Sequence, residues 1–173
     1  PGQLLGSQND MATIRLQLLG FFYALFLILS SWGKSVKQIL VMQTISFIFK
    51  GFHYYLLGGL SGFLTSIISA IRNLIFYKLK KSTVLSVIFI LLYLIIGFVT
   101  YQDVFSLIPV LATIFYTIII NKNKENYLRW GLLITSFLWL IYNIYLLSYS
   151  GIIVQIINLF SSVLAMIKLD KRK

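Results

Sequence analysis

Long apolar runs separated by short polar breaks divide the chain into seven blocks. Each block can form a helix that crosses a bilayer, which needs about 20 mainly apolar residues. Runs such as 84–99 do not alternate apolar with polar residues, so the pattern favours helices over the strands of a membrane barrel. The predicted blocks are Ile14–Trp32, Val36–Leu57, Ser61–Tyr77, Thr83–Tyr101, Val104–Ile120, Tyr127–Leu147 and Gly151–Ile167.

Composition supports a membrane protein. The 173 residues are 59% hydrophobic and 11% charged, with a mean hydropathy of +0.90, whereas soluble domains carry roughly a quarter charged residues. Seven spans use about 140 residues, which excludes a separate soluble domain. Residues 1–13 are interpreted as an N-terminal tail, whose first ten residues lack an initiating Met and are consistent with a remnant of cloning or processing.

Basic residues gather in every second connection, after the first, third, fifth and seventh blocks. The connections of the other side contain only Arg15 as a basic residue. Because Lys and Arg concentrate in cytoplasmic loops, the pattern predicts a multi-pass membrane protein with its N-terminus outside and its C-terminus in the cytoplasm. The net charge of +11 is therefore attributed to basic residues that set the orientation of the chain in the membrane, and nucleic acid is not expected as a partner. The residues of the basic side are Lys34, Lys37, Lys78, Lys80, Lys81, Lys122, Lys124, Arg129, Lys168, Lys171, Arg172 and Lys173.

An internal repeat with an offset of about 90 residues links the two halves of the chain. It predicts two parallel three-helix units, 14–81 and 104–167, joined by a linking helix in 82–103 and followed by a basic tail, 168–173. Parallel repeats of this kind enclose a site near the membrane midplane. The matched positions are 53–57 with 143–147, Ser61-Gly62 with Ser150-Gly151, Ser66 with Gln155, Ser69 with Asn158, and Asn73 with Ser162.

Polar residues recur at helical spacing inside four of the predicted spans. A Lys or Arg at a helix centre costs about 2.5–3.5 kcal/mol on insertion scales, so such residues normally face a cavity or a partner. No Asp or Glu lies inside any block, so the interior favours a neutral-polar or anionic solute over a cation. The predicted solute-binding residues are Gln43, Lys50, His53, Arg72, Asn73, Trp139, Asn143 and Asn158.

Each of these residues also has a structural interpretation, in which it does not bind a solute. Arg72 is close enough to Lys78 to extend to cytoplasmic headgroups, and His53 is also typical of an outer-interface residue bonded to a carbonyl. The Ser and Asn stripes, and Trp139, are equally typical of helix packing. A single His without Cys or a nearby carboxylate forms neither a triad nor a metal site, so neither an enzyme nor a metal or cofactor is expected.

The sequence G-F-H-Y-Y-L-L-G at 51–58, followed by A-I-R-N-L-I at 70–75, resembles the bacterial inner-membrane YgjV family. The resemblance continues through 107–110 and the region of Trp139 and Asn143. That family is grouped with the PQ-loop and MtN3-like proteins, among them the SWEET sugar facilitators and the PnuC vitamin transporters. The resemblance implies a location in the bacterial inner membrane and a three-plus-one-plus-three helix fold with a solute path between the units. A SWEET-like prolyl hinge is matched only at Pro109, with Gly20 at the corresponding place, and a Pro-Gln pair is absent.

The sequence thus predicts an all-α polytopic membrane transporter or facilitator that moves a small solute by alternating access. Gly20 and Pro109 are the predicted hinges, and the expected partners are a small-molecule solute and membrane lipids, with the chain as a monomer or small homo-oligomer. The alternative is a non-transporting receptor or scaffold of the same fold, in which the polar side chains satisfy one another and leave no cavity. Replacing Lys50 with Ala is predicted to weaken solute binding without unfolding the chain.

Overall fold

The structure, a computed structural model, describes the backbone of residues 2–79 and 82–170 and the side chains of residues 16–79 and 82–170. Within these ranges the chain forms seven α-helices and no strand, which confirms the predicted all-helical chain. Lys80, Lys81, Lys171, Arg172, Lys173 and the side chain of Arg15 lie outside the described part. The helices are α1 (Gly2–Ser31), α2 (Val36–Leu56), α3 (Leu60–Leu79), α4 (Thr83–Val99), α5 (Ile108–Ile120), α6 (Glu125–Tyr145) and α7 (Tyr149–Ala165).

Short polar residues set the helix boundaries. Ser35, Ser82 and Ser148 each accept a hydrogen bond at 3.2 Å from a backbone N–H in the first turn of α2, α4 and α7, as N-cap residues do. A 3₁₀ turn, Val104–Leu107, leads into α5, so Pro109 lies in the first turn of that helix, where a proline breaks no intrahelical bond. A π-helical segment, Met166–Asp170, extends α7.

Six of the helices pack in a ring. Helices α1, α2 and α3 pack in succession, as do α5, α6 and α7, while α1 contacts α7 and α3 contacts α5. Helix α4 packs against α5 and α3, and α2 also reaches α6 across the ring. The interior enclosed by these six helices is where a site shared by both halves of the chain can form. The predicted grouping into two like-oriented units stays a prediction.

The basic residues lie at one end of the bundle. Lys37 at the start of α2 lies over the ring of Tyr77 near the end of α3, 5.4 Å from its centroid. Arg129, early in α6, donates to the carbonyl of Ser31 at the end of α1, and Lys168 lies over the ring of Trp32. These contacts define the basic end, which contains Lys34, Lys37, Lys78, Lys122, Lys124, Arg129 and Lys168.

The outward surface of the helices is apolar. Large side chains such as Phe98 (88% exposed), Val84 and Phe160 point away from the bundle. Two helical stretches of the described chain, Leu60–Leu79 and Tyr149–Asp170, are long and apolar enough to cross a membrane. The stretches Leu16–Ser31, Thr83–Val99 and Phe105–Ile120 are apolar but shorter. Most polar side chains in the middle parts of the six ring helices are buried instead.

Candidate functional site

The interior of the ring is polar and carries charge. All eight predicted solute-binding residues are buried, and the most exposed of them, Trp139, is 5% exposed. Buried polar and charged side chains outnumber buried apolar ones among the described residues. Because an unpaired polar group inside a protein is costly, the hydrogen bonds of each buried group show which are structural and which are free to bind something else.

A cavity lies between six helices, which are α1, α2, α3, α5, α6 and α7. Lys50, Arg72 and Trp139, three of the predicted residues, line it together with Ser66, Ser136 and Gln155. Its volume is about 20 Å³, which is room for about one water molecule. The other predicted residues, Gln43, His53, Asn73, Asn143 and Asn158, do not line the cavity.

Lys50 places an ammonium group in this cavity with no hydrogen bond or ion pair to any described residue. Its Nζ lies 3.0 Å from the centroid of the Trp139 ring, and the rings of Phe47, Tyr54 and Tyr23 lie between 5.3 and 5.9 Å away. The face of an aromatic ring attracts a cation, so these rings hold the ammonium, and its N–H groups have no hydrogen-bond acceptor among the described residues. The side chain is 2% exposed.

Arg72, the second buried cation, is held by a hydrogen-bond network that joins α2, α3 and α5. Its Nε and one terminal nitrogen donate to Asn73 Oδ1 at 3.2 and 3.0 Å, and the other terminal nitrogen donates to Thr117 Oγ1 at 2.8 Å and the Thr113 carbonyl at 3.3 Å. Asn73 donates in turn to Gln43 Oε1 at 3.1 Å. Four of the five guanidinium protons are thus used, and Arg72 does not extend to headgroups.

Gln43 completes this network, because its amide nitrogen donates to the hydroxyl of Tyr116 on α5 at 2.5 Å. The set Gln43, Arg72, Asn73, Tyr116 and Thr117 is called the arginine network below. It lies between the cavity and the basic end, since each of its members is nearer that end of its helix than Lys50 is. The network therefore closes one side of the cavity.

A second network, without charge, joins α1, α6 and α7. Asn158 donates to Ser136 Oγ at 2.6 Å, and its Oδ1 accepts from Ser31 at 3.3 Å. Ser31 also lies 3.1 Å from the hydroxyl of Ser162. Asn158 thus makes hydrogen bonds between helices, as its structural interpretation expected. The set Ser31, Ser136, Asn158 and Ser162 is called the asparagine network below, and it lies on the same side of the cavity as the arginine network.

His53 and Asn143 lie on the far side of the cavity from the basic end. His53 Nδ1 is 3.3 Å from the Leu16 carbonyl, so it donates there, and Nε2 lies 3.2 Å from the Ser148 hydroxyl. Asn143 accepts from the Tyr54 hydroxyl at 3.2 Å and donates to the Trp139 carbonyl at 2.7 Å. Both side chains are engaged with the protein itself.

An aromatic layer separates the cavity from that far end. The Tyr54 ring stacks on Trp139 with centroids 5.3 Å apart, and Tyr142 packs against both rings. Gly62 fits beneath this layer because a Cβ there would lie 2.9 Å from ring atoms of Tyr54 and Tyr142. The cavity is therefore bounded by aromatic rings on one side and by hydrogen-bonded polar networks on the other.

Both ends of the bundle are fastened by polar contacts. At the basic end the guanidinium of Arg129, which is 3% exposed, pairs with the carboxylate of Asp170 and donates to the carbonyls of Ser31 and Gly33. At the opposite end Asp103 accepts from the hydroxyl of Tyr145. That hydrogen bond, helped by the backbone N–H of Ser106, lowers the pKa of the Asp103 carboxyl.

Comparison with protein families places the chain. A family model described as a bacterial inner membrane protein matches residues 14–173. The chain belongs to this Imp-YgjV family. The match confirms the family suggested by the motifs at 51–58 and 70–75, and it supports a bacterial inner membrane as the location. No curated protein and no solved structure matches the chain significantly.

Two cavity residues of this Imp-YgjV protein that carry an unpartnered polar atom were absent from the predicted set. Ser66 Oγ and Gln155 Oε1 are buried and have no hydrogen-bond partner among the described residues, although Gln155 donates through its Nε2 to the Tyr23 hydroxyl. The signal that could have found them is the internal repeat, because Ser66 and Gln155 occupy matched positions in the two halves.

Proposed function

We propose that this chain is a multi-pass inner-membrane transporter that moves a small neutral-polar or anionic solute by alternating access. The proposal includes a fold of two parallel three-helix units, α1–α3 and α5–α7, linked by α4, as in the PQ-loop, SWEET and PnuC proteins. Its support is the successive packing within each set of three helices and the contacts of α1 with α7 and of α3 with α5. No enzymatic activity and no cofactor are proposed.

The distribution of polar and apolar side chains supports the membrane part of the proposal. Water-soluble monomers rarely expose large continuous apolar surfaces, whereas the outside of this bundle is apolar and its inside is polar. Since Lys and Arg favour cytoplasmic loops, we place the basic end in the cytoplasm and the N-terminus outside. Lipids then contact the outer surface, and the chain acts as a monomer or small homo-oligomer without nucleic acid.

The observation that carries the proposal is the free ammonium of Lys50 in a cavity at the centre of the ring. A buried charge is normally paired or hydrogen-bonded, and Lys50 is neither among the described residues. A lysine that served only packing would be better replaced by an apolar residue. A solute with an acceptor group gives this ammonium the partner that the protein lacks.

Alternating access supplies the route into the cavity. A space of about 20 Å³ does not admit an organic solute, so the helices must move. Opening toward the cytoplasm breaks the contacts of Arg129 with Ser31, Gly33 and Asp170. Opening outward moves the rings of Tyr54 and Tyr142 apart. The proposed hinges are Gly20, which lies within α1, and Pro109, which lies where the 3₁₀ turn Val104–Leu107 joins α5.

The rival proposal is a receptor or scaffold that does not transport. The small cavity and the completed arginine and asparagine networks favour it, because a rigid scaffold needs no space for a solute. The two proposals differ in whether the bundle opens on both sides. A transporter must expose Lys50 to each aqueous phase in turn, and a scaffold keeps it buried.

Flux into vesicles tests the proposal. A screen of small metabolites for thermal stabilisation of the purified protein identifies ligands, since a ligand of the folded state raises the melting temperature. Each ligand is then offered to liposomes that contain the protein. Saturable uptake above that of empty liposomes supports transport, and stabilisation without uptake supports the receptor.

Single cysteines test the orientation, because the 173 residues contain none. Lys122→Cys probes the basic end and Gln102→Cys the opposite end, and both positions are exposed. A maleimide that cannot cross the inner membrane should label Gln102→Cys from the periplasm and leave Lys122→Cys unlabelled until the membrane is opened. The reverse result would contradict the proposed orientation.

A further inference from the structure

Three buried polar groups of the central cavity lack partners among the described residues. They are the Ser66 hydroxyl and the Gln155 amide oxygen, which are buried without a hydrogen-bond partner, and the Lys50 ammonium, whose contacts among the described residues are with aromatic rings. Ser66 and Gln155 are each 1% exposed, so bulk water does not satisfy them. The groups that a ligand must supply are therefore an acceptor for Lys50, a donor for the Gln155 oxygen, and either one for Ser66.

The charges of the site determine the sign of the ligand's charge. Lys50 and Arg72 both line the cavity, and no carboxylate lies in any of the apolar blocks. The protons of Arg72 are largely taken by Asn73, Thr113 and Thr117, so of these two cavity cations Lys50 is the one without a hydrogen-bond partner among the described residues. One negative charge on the ligand balances it, and charge-assisted hydrogen bonds of this kind are the strong ones.

The same charges decide the donor group. The Gln155 oxygen needs an O–H or N–H from the ligand. An ammonium donor would bring a third positive charge into a site that already holds Lys50 and Arg72 and contains no carboxylate. A hydroxyl donates without adding charge. The cavity also favours a small ligand, because a ligand with fewer atoms requires the helices to separate less.

We infer that the solute bound in this cavity is a small monocarboxylate that carries a hydroxyl beside its acid group, with Lys50 binding the carboxylate and Gln155 the hydroxyl. The inference deepens the proposed transport function and rests on it. Ser66 lies on α3 and Gln155 on α7, at matched positions of the repeat, so each half of the chain contributes one neutral group and the first half contributes the cation.

Four probes of nearly equal size separate the features of this ligand. Lactate has the carboxylate and the hydroxyl, propionate lacks the hydroxyl, lactamide lacks the charge, and alanine carries an ammonium in place of the hydroxyl. Melting of the purified full chain is measured against each probe up to about 50 mM. Lactate should raise the melting temperature in proportion to its binding, while the other three should bind at least about tenfold more weakly.

Two variants and one control complete the experiment. Lys50→Gln should reduce lactate affinity by at least about tenfold, and Lys37→Gln, the same change at the basic end, should leave it unaltered. Gln155→Leu should bring the affinities for lactate and propionate to about the same value, which a merely structural role would not do. This second variant keeps the inference testable if Lys50→Gln does not fold.

Several results would overturn the inference. They are stabilisation by lactamide or alanine equal to that by lactate, unchanged lactate binding in Lys50→Gln, and no stabilisation by lactate at any concentration. Uptake of a neutral solute in place of lactate would remove the ligand assignment and leave transport standing. Binding of lactate without uptake into liposomes would remove transport and leave the ligand assignment standing.

Discussion

Two cations lie inside the same ring of helices, and their surroundings differ. Arg72 uses four of its five guanidinium protons in the arginine network, whereas Lys50 has aromatic rings around it and no hydrogen-bond partner among the described residues. Both side chains are buried and both are basic. The number of partners therefore separates a cation that holds helices together from one that is available to a ligand.

The largest expected effect comes from breaking the arginine network. Arg72→Met leaves Asn73 and Thr117 without their shared donor, and hydrogen bonds to charged groups are worth about 1.5–3 kcal/mol each. We expect a loss of about 3 kcal/mol in unfolding free energy, or a fall in melting temperature of roughly 6–12 °C. The control is Lys37→Met. A melting temperature within a degree of the wild type would mean that the network is not structural.

Lys50→Met should raise the stability of the fold, whereas Arg72→Met lowers it. Removing an unpaired buried charge in favour of an apolar side chain of similar length is often stabilising, by about 1–4 kcal/mol. We expect the solute-free protein to melt a few degrees higher, measured beside Arg72→Met under the same conditions. A fall as large as that of Arg72→Met would show that Lys50 also holds the fold together, and the contrast between the two cations would disappear.

A smaller matched pair sharpens the same contrast. Thr117→Val removes one acceptor of Arg72 with little change of shape and should cost about 1 kcal/mol. Ser66→Ala removes a hydroxyl that has no partner, so it should leave stability unchanged or slightly raised. Chemical or thermal unfolding of the two variants compares them directly. Equal losses would contradict the assignment of Ser66 to the unpartnered set.

The smallest effect is expected at the surface, where Asp103 accepts from Tyr145. The folded pKa of Asp103 is lowered by this bond, so the stabilisation is present above the ordinary pKa near 4 and is lost as the pH falls through the lowered value. Melting of the wild type should therefore decline slightly more than that of Asp103→Asn as acid is added. Parallel acid profiles would show that the bond contributes nothing.

Much of the fold could be predicted from the sequence because the apolar blocks are long and the breaks are polar. The helix α4 follows the predicted block closely, since Ser82 caps it and the residues up to Val99 are apolar throughout. The block at 104–120 was less regular than expected. Asp103 caps a 3₁₀ turn there, and the α-helix begins only at Ile108.

The site could be predicted only in outline. Helical spacing placed Lys50, Arg72 and Trp139 inside the bundle, and the structure brings these three to one cavity. Spacing could not separate them from Asn143 and His53, which face other parts of the protein, because hydrogen bonds between helices depend on packing that no single helix reveals. Gln155 was left out of the predicted set since its free oxygen appears only when its neighbours are known.

Uptake of labelled lactate into liposomes that contain the protein tests the central claim most directly. At neutral pH, where the acid is ionised, we expect saturable uptake by the wild type and by Lys37→Gln, and uptake no faster than that of empty liposomes for Lys50→Gln. Equal uptake by Lys50→Gln and the wild type, or none by either, would contradict the claim that a free ammonium at the centre of the ring binds an anion on its way across the membrane.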